Sequence, residues 1–184
     1  LKGIYGEQTV KASGLFSFYH YHKKQVPWLV FPYYLEGQPI YLKARPMMSK
    51  EEAEQIEVGR FRNTSGAVPC PYLIDANERV KGLVRSTLIL CEGETDTLAA
   101  ISLGYRAMGV PGWAHFKQEW VTEYVWPLRV FIAFDGDEAG AKGAQDIQWQ
   151  FVEQGLTPPQ QLLLPRGYDI SDWVRSQNEI NVGE

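Results

Sequence analysis

From Thr87 onward the chain alternates short aliphatic runs with helical patterns, and few architectures accept that rhythm. Thr87–Cys91 is a β-branched and aliphatic run, read as a buried strand. Residues 95–103 place Leu98, Ala99 and Ile101 at helical spacing and end at Gly104, a good residue just past a helix C-terminus. Tyr105–Val110 is a second strand, stopped by Pro111-Gly112, and residues 116–126 form a helical stretch that Pro127 ends. Arg129–Phe134 is the third strand, Glu138–Gln154 a long helix ended by Gly155, and Gln161–Leu164 a fourth strand closed by Pro165. Strand and helix in alternation predict parallel strands, right-handed crossovers and helices on both faces of the sheet.

In such a sheet ligands gather at the carboxyl ends of the strands. The first strand runs into Glu92-Gly93-Glu94-Thr95-Asp96 and the third into Asp135-Gly136-Asp137-Glu138. The fourth leads through Pro165-Arg166-Gly167-Tyr168 to Asp169 and Asp172. Turn preference explains any one of these sites, but not three at one edge of one sheet. Clustered carboxylates repel and push one another toward protonation unless a cation lies between them. Mg²⁺, which takes a few carboxylates and keeps several waters, suits an open acidic edge. Residues two apart in extended backbone point the same way, so Asp135 and Asp137 form a pair. Gly136 between them permits a sharp turn and close approach of a ligand, and Gly93 does the same after Glu92.

Charge divides the chain. Residues 1–85 carry twelve Lys and Arg against eight Asp and Glu, a net +4, whereas residues 86–184 carry six against fourteen, a net −8. One part is thus suited to phosphates and the other to cations. In the basic part, Leu29–Tyr34 and Ile40–Arg45 flank Glu36-Gly37-Gln38 and read as a β-hairpin. The aromatics of Phe16–Tyr34 read as core and sheet-surface residues rather than as a base-stacking platform. Residues 49–58 begin with a Ser-x-x-Glu cap and form a short exposed helix, and residues 60–75 read as loop with short strands. The junction between the two lobes falls near residues 79–86, giving lobes 1–82 and 83–184.

The aliphatic strand followed by Glu92-Gly93-x-x-Asp96, and the next followed by Asp135-x-Asp137-Glu138-Ala139-Gly140, resemble the Toprim domain of DNA primases, type IA and II topoisomerases and small nucleases. The resemblance covers residues 83–173. Phe134–Ala144 and Gly167-Tyr168-Asp169-Ile170-Ser171-Asp172-Trp173 are similar to the primase branch. So are Phe31-Pro32 with the hairpin leading to Leu42-Lys43-Ala44-Arg45, Arg60-Phe61-Arg62-Asn63, and the connector Pro71–Glu78. The resemblance implies a Toprim α/β fold preceded by a smaller β-rich subdomain, and a primase core that makes short RNA primers on single-stranded DNA by metal-dependent nucleotidyl transfer. It implies Mg²⁺ or Mn²⁺ as cofactor, with Asp135 and Asp137 as first ligands, Asp169 as a third, and Asp96 and Asp172 as further acidic residues of the metal site. Asp96 serves either to support a ligand or to meet the helix dipole, and Glu92 is a ligand or the general base. Lys43, Arg45, Arg60, Arg62 and Lys81 are assigned to template or nucleotide. The alternatives with the same carboxylates are a Toprim nuclease and a non-catalytic nucleic-acid-binding module; a topoisomerase needs a nucleophilic Tyr in a further large domain.

The partners so implied are single-stranded DNA, nucleoside triphosphates and, through regions beyond this chain, a replicative helicase. His20 and His22 have no Cys nearby and are read as ordinary histidines rather than a zinc site. No apolar run approaches the ~20 residues of a membrane span, and the start at Leu1, without Met or leader, points to a piece of a longer protein. Two cysteines make no disulfide framework, Cys91 reads as a buried free thiol, and a cytoplasmic location is expected.

Overall fold

The computed structural model describes residues 1–22, 24–66, 69–73, 80–121, 123 and 128–181. The acidic part folds as its periodicity predicts. Strands β5 (Val84–Cys91), β6 (Tyr105–Gly109), β7 (Arg129–Ala133) and β8 (Gln160–Gln161) form a parallel sheet in the order β6-β5-β7-β8. Helices α4 (Glu94–Ser102), α5 (Glu138–Glu153) and α6 (Ile170–Asn181) cover it. Alternation along the strands sorts the faces: Leu88, Leu90, Val130 and Ile132 pack with Ala144, Ile147 and Phe151 of α5. Ile89, Cys91 and Ala133 point the other way, toward Leu98 and Ile101 of α4 and Ile170 and Val174 of α6. A strand buried on both faces is why residues 87–91 read as an unbroken apolar run. Gly104 and Gly155, at φ +90° and +70°, lie just beyond α4 and α5, where the sequence placed the helix ends. β8 pairs over two residues only, and Leu162 extends the contact by donating its N–H to Ile132. Of the expected helix over 116–126, residues 122 and 124–126, and the Pro127 that was to end it, lie outside the described residues.

The basic part forms an antiparallel sheet, β1 (Phe16–His22), β2 (Lys24–Leu35), β3 (Gln38–Pro46) and β4 (Arg62–Asn63), in that order. Leu35 faces Gln38 across a two-residue turn in which Glu36 and Gly37 have φ of 52° and 76°. Positive φ at both central positions is the type I′ geometry that matches strand twist. Helix α3 (Lys50–Gln55) carries the expected capping box between Ser49 and Glu52. The even-numbered side chains Val26 and Trp28 pack on Ala53 and Val58 beside α3. The odd-numbered Leu29, Phe31, Tyr33 and Tyr41 join the same core as Ile89, Leu98 and Ala133. Two short helices not read from sequence, α1 (Lys2–Tyr5) and α2 (Glu7–Ser13), also contact α4. The core therefore runs unbroken from the basic part to the acidic one. Residues 74–79, which include most of the expected connector and the start of the lobe junction, lie outside the described residues; before them Tyr72 forms a bridge with Gly109 at the end of β6.

Candidate active site

Three loops at the carboxyl ends of β5, β7 and β8 carry the acidic residues, and the geometry explains how they are held. Gly136 donates its N–H to the Tyr168 carbonyl at 2.9 Å, and Gly167 donates to the Gly136 carbonyl at 3.1 Å. The β7 and β8 loops are thus zipped together. A Cβ on Gly136 would lie 2.4 Å from the Pro165 carbonyl oxygen, so glycine is needed here where loop meets loop. Backbone cannot swing away as a side chain can. Gly136→Ala is expected to lower unfolding free energy by about 3 kcal/mol, read by urea denaturation.

Four of the aspartates have a structural partner as well. Asp137 caps α5 by accepting the Gly140 N–H at 2.8 Å, and Asp169 accepts the Asp172 N–H at 2.6 Å in the first turn of α6. Asp172 pairs with Arg175 at 3.3 Å. Asp96 is buried on α4 and accepts the Ser171 N–H at 3.3 Å, tying the first acidic loop to the third. Gly93 leaves room for that carboxylate, since a Cβ there would stand 2.7 Å from Asp96 Oδ2.

The carboxyls sense one another. Burial first, then the charges of Asp169, Asp137 and Asp172, hold Asp135 above the ordinary carboxylate range, while Arg60 pulls it back. Burial, then Asp135 and Asp137, raise Glu92, which accepts a backbone hydrogen bond from Asp135. Its buried Oε2 has no hydrogen-bond partner. Burial and the charge of Asp169 push Asp96 up to about 7. An orphaned carboxylate oxygen among mutually raised carboxyls is a donor set that fits a hard divalent cation. Among the described residues, no three His, Cys, Asp or Glu side chains are already drawn close enough together to enclose one.

The raised acid fixes a sign. Unfolded Asp96 titrates near 3.8 and the folded group near 7, so the folded chain binds this proton more tightly. Stability falls as pH rises from about 4 through 7, by at most about 4 kcal/mol for this group. Metal-free protein is expected to melt lower at pH 8 than at pH 5, and Asp96→Asn to remove much of that difference in thermal melts. A variant with the same slope as the parent would disprove the assignment.

The five basic residues expected on one surface separate. Lys43 and Arg45 lie on the odd-numbered face of β3, the face turned toward the parallel sheet. Lys43 is engaged there: its Nζ sits 2.7 Å from Glu94 Oε1, which also accepts a short hydrogen bond from the Tyr33 hydroxyl. Glu94, Lys43 and Tyr33 thus join the two sheets. Sequence reasoning passed over Glu94 and Tyr33, and the one signal was a third acidic residue within Glu92–Asp96. The Arg60 guanidinium and Lys43 Nζ lie 5.3 and 4.6 Å from the Phe61 ring centroid. Arg45, Lys50, Arg60 and Phe61 line a cleft of about 630 Å³ with Met47 and Met48. Arg62 is on the opposite face, 4.7 Å over the Trp28 ring. Lys81 precedes β5 at its amino end, while Glu92 follows its carboxyl end, so about 23 Å of strand lies between them.

Residues 89–174 match the family described as Toprim-like. The gene 57 protein of Mycobacterium phage D29 is 28% identical over 92 residues, covering 50% of this chain and 57% of that protein. The primase fragment of the bacteriophage T7 primase-helicase superposes with a TM-score of 0.67 at 18% identity, over 96% of this chain and 67% of that one. The Aquifex aeolicus primase, crystallised as zinc-binding and RNA polymerase domains, gives 0.62 at 20% identity, over 84% of this chain and 38% of that one. The DnaG primase catalytic domain bound to single-stranded DNA gives 0.61 at 16% identity, covering 94% of this chain and 58% of that one. The chain thus has the fold of these catalytic cores and spans between about two fifths and two thirds of their lengths. No helix among the described residues is long and apolar enough to cross a membrane.

Proposed function

We infer that this chain, Toprim-like over residues 89–174 and built on the fold of phage and bacterial primase cores, is the catalytic core of a DNA primase. It makes short RNA primers on single-stranded DNA. The observation that carries the reading is the meeting of three loops, tied by the Gly136 N–H to Tyr168 and the Ser171 N–H to Asp96, which leaves the Asp135 carboxyl raised by Asp169, Asp137 and Asp172 and lowered by Arg60. That combination suits a triphosphate: carboxylates for its cations, an arginine for its oxygens.

Asp135 and Asp137 would hold Mg²⁺ or Mn²⁺, with Asp169 beside them, and when bound the ion would supply neutralisation of charge at the reacting phosphate. Glu92, raised by burial, takes the proton from the attacking 3′-hydroxyl. Asp96 and the Ser171 backbone keep the first and third acidic loops in register. Arg45 and Arg60 meet phosphates from the cleft beside Phe61. Lys43 holds Glu94 rather than template, and Lys81 stands apart from the reaction. A cytoplasmic location follows from the replication role, and a helicase such as the one the T7 protein's name includes is the expected partner.

The test is incubation with single-stranded template, labelled ribonucleoside triphosphates and Mg²⁺ or Mn²⁺. Short oligoribonucleotides that depend on template are expected. Template shortening would instead make the protein a Toprim nuclease, and synthesis unaffected by loss of the divalent ion would overturn the proposed site.

A further inference from the structure

Residues 8–35 contain no Asp or Glu, in a chain of net charge −4, yet hold Lys11, Lys23, Lys24, His20 and His22. Within this stretch β1 forms the outer edge of the antiparallel sheet, and residues 16–21 are all exposed. Phe16 and Phe18 are 46% and 41% exposed on one face, Tyr19 and Tyr21 67% and 75% exposed on the other. These four uncovered rings in six residues are the sheet-surface part of an aromatic stretch whose core part is Trp28, Phe31 and Tyr33.

What covers them is argued from chemistry. Rings at an edge strand suit an added protein strand as well as stacked bases, so charge decides the occupant. Between the rings of residues 16–21 stand only Ser17 and His20, and no carboxylate occurs from residue 8 to residue 35. Ring faces, polar tips, cationic neighbours and no carboxylate describe a surface for stacked bases and phosphates. A second observation places a cation beside the rings. Phe16, Val30, Ala44 and Arg62 lie in one row across the four strands, and so share a face. Exposed Arg62 rests on Trp28, the cross-strand neighbour of Phe18.

We propose that the β1 ribbon is a stacking platform for an unpaired nucleic-acid strand, with Phe16, Phe18, Tyr19 and Tyr21 taking bases and Arg62 and Lys24 taking phosphates. It is a second contact, away from the carboxylates. Strand contact of this kind is tolerant of sequence and sensitive to salt.

The proposal needs neither catalysis nor metal, so its test is made in EDTA without nucleotides. Fluorescein-labelled oligo-dT is titrated with the protein and followed by anisotropy. The Phe18→Ala, Tyr19→Ala, Tyr21→Ala triple variant is expected to bind at least 10-fold more weakly at unchanged melting temperature. Tyr19→Phe with Tyr21→Phe keeps the rings and is expected to bind as the parent does. An abasic oligomer of equal length is expected to bind poorly to the parent and to be indifferent to the triple change. With 5-iododeoxyuridine in the oligomer, cross-links within residues 16–21 support the proposal and cross-links only elsewhere overturn it. Unchanged oligo-dT affinity in the triple variant also overturns it, as does loss of a dimer in place of loss of binding, which would make a second copy the occupant. Primer synthesis by the parent is read separately, so a parent chain that binds oligo-dT here but makes no primer defeats the primase reading and leaves this one standing.

Discussion

Replacing Asp135 by Asn is expected to lower primer synthesis by roughly 1,000-fold, equivalent to about 4 kcal/mol of transition-state stabilisation, without loss of fold. The same change is expected to raise the melting temperature of metal-free protein slightly, by about 1–2 °C at pH 7. The two signs together identify the residue's work. Asp135 is held above its ordinary range first by burial and then by Asp169, Asp137 and Asp172, so its charge opposes folding when no cation is present. Asn keeps the shape and removes that repulsion; the gain is small because the group is only half-buried and solvent screens its neighbours. Addition of Mg²⁺ is expected to raise the melting temperature of the parent and to have little effect on the variant. Primer gels and thermal melts on the same preparations provide the check. A variant that is inactive because it melts several degrees lower would assign Asp135 to structure instead.

The acidic half was legible because its signals are local. β5, α4, β6, β7 and α5 all stand where the aliphatic runs and glycine stops placed them, since strands buried on both faces and helices ended by Gly104 and Gly155 write themselves into short windows. The hairpin of β2 and β3 and the capping box of Ser49 were read for the same reason. What escaped the sequence was set by distant contacts. Helices α1 and α2 are too short to show a pattern and are held by packing on α4. Arg62 and Lys43 both looked like template residues, but the register Ala44↔Arg62 and Lys43↔Asn63 sends them to opposite faces. No local window contains that register. Gly136 is required by a neighbour no local window contains, the Pro165 carbonyl, which is 29 positions away. The acidic loops were placed together by one topological rule, and their mutual pKa shifts follow from that placement. The exposure of β1 was not readable at all: aromatic residues in a strand are usually buried, and only the position at the sheet edge decides otherwise.

The contact between Lys43, Glu94 and Tyr33 carries the largest stability effect. Glu94 Oε1 accepts from both partners, at 7% residue exposure, between the first turn of α4 and the face of the antiparallel sheet. At the helix N-terminus its charge is also favoured by the dipole. Truncation to Ala strands an ammonium and a hydroxyl that face each other in a largely dry place. Breaking a buried pair in this way costs about 3–5 kcal/mol, which for a chain of this size lowers the melting temperature by roughly 10 °C. Lys43→Met leaves the carboxylate with Tyr33 alone and is expected to cost nearly as much. The double change Lys43→Met with Glu94→Leu removes both charges and is expected to recover at least half of either loss, because an apolar pair of similar volume often replaces a buried ion pair without penalty. Such recovery is a coupling of about 4 kcal/mol or more, well above that of an exposed ion pair. Equilibrium unfolding of the parent, Lys43→Met, Glu94→Leu and the double variant measures it. Additive losses below about 1 kcal/mol would mean that water reaches the pair, and that the shared apolar core around Tyr33, Tyr41 and Tyr72 holds the two sheets together without it.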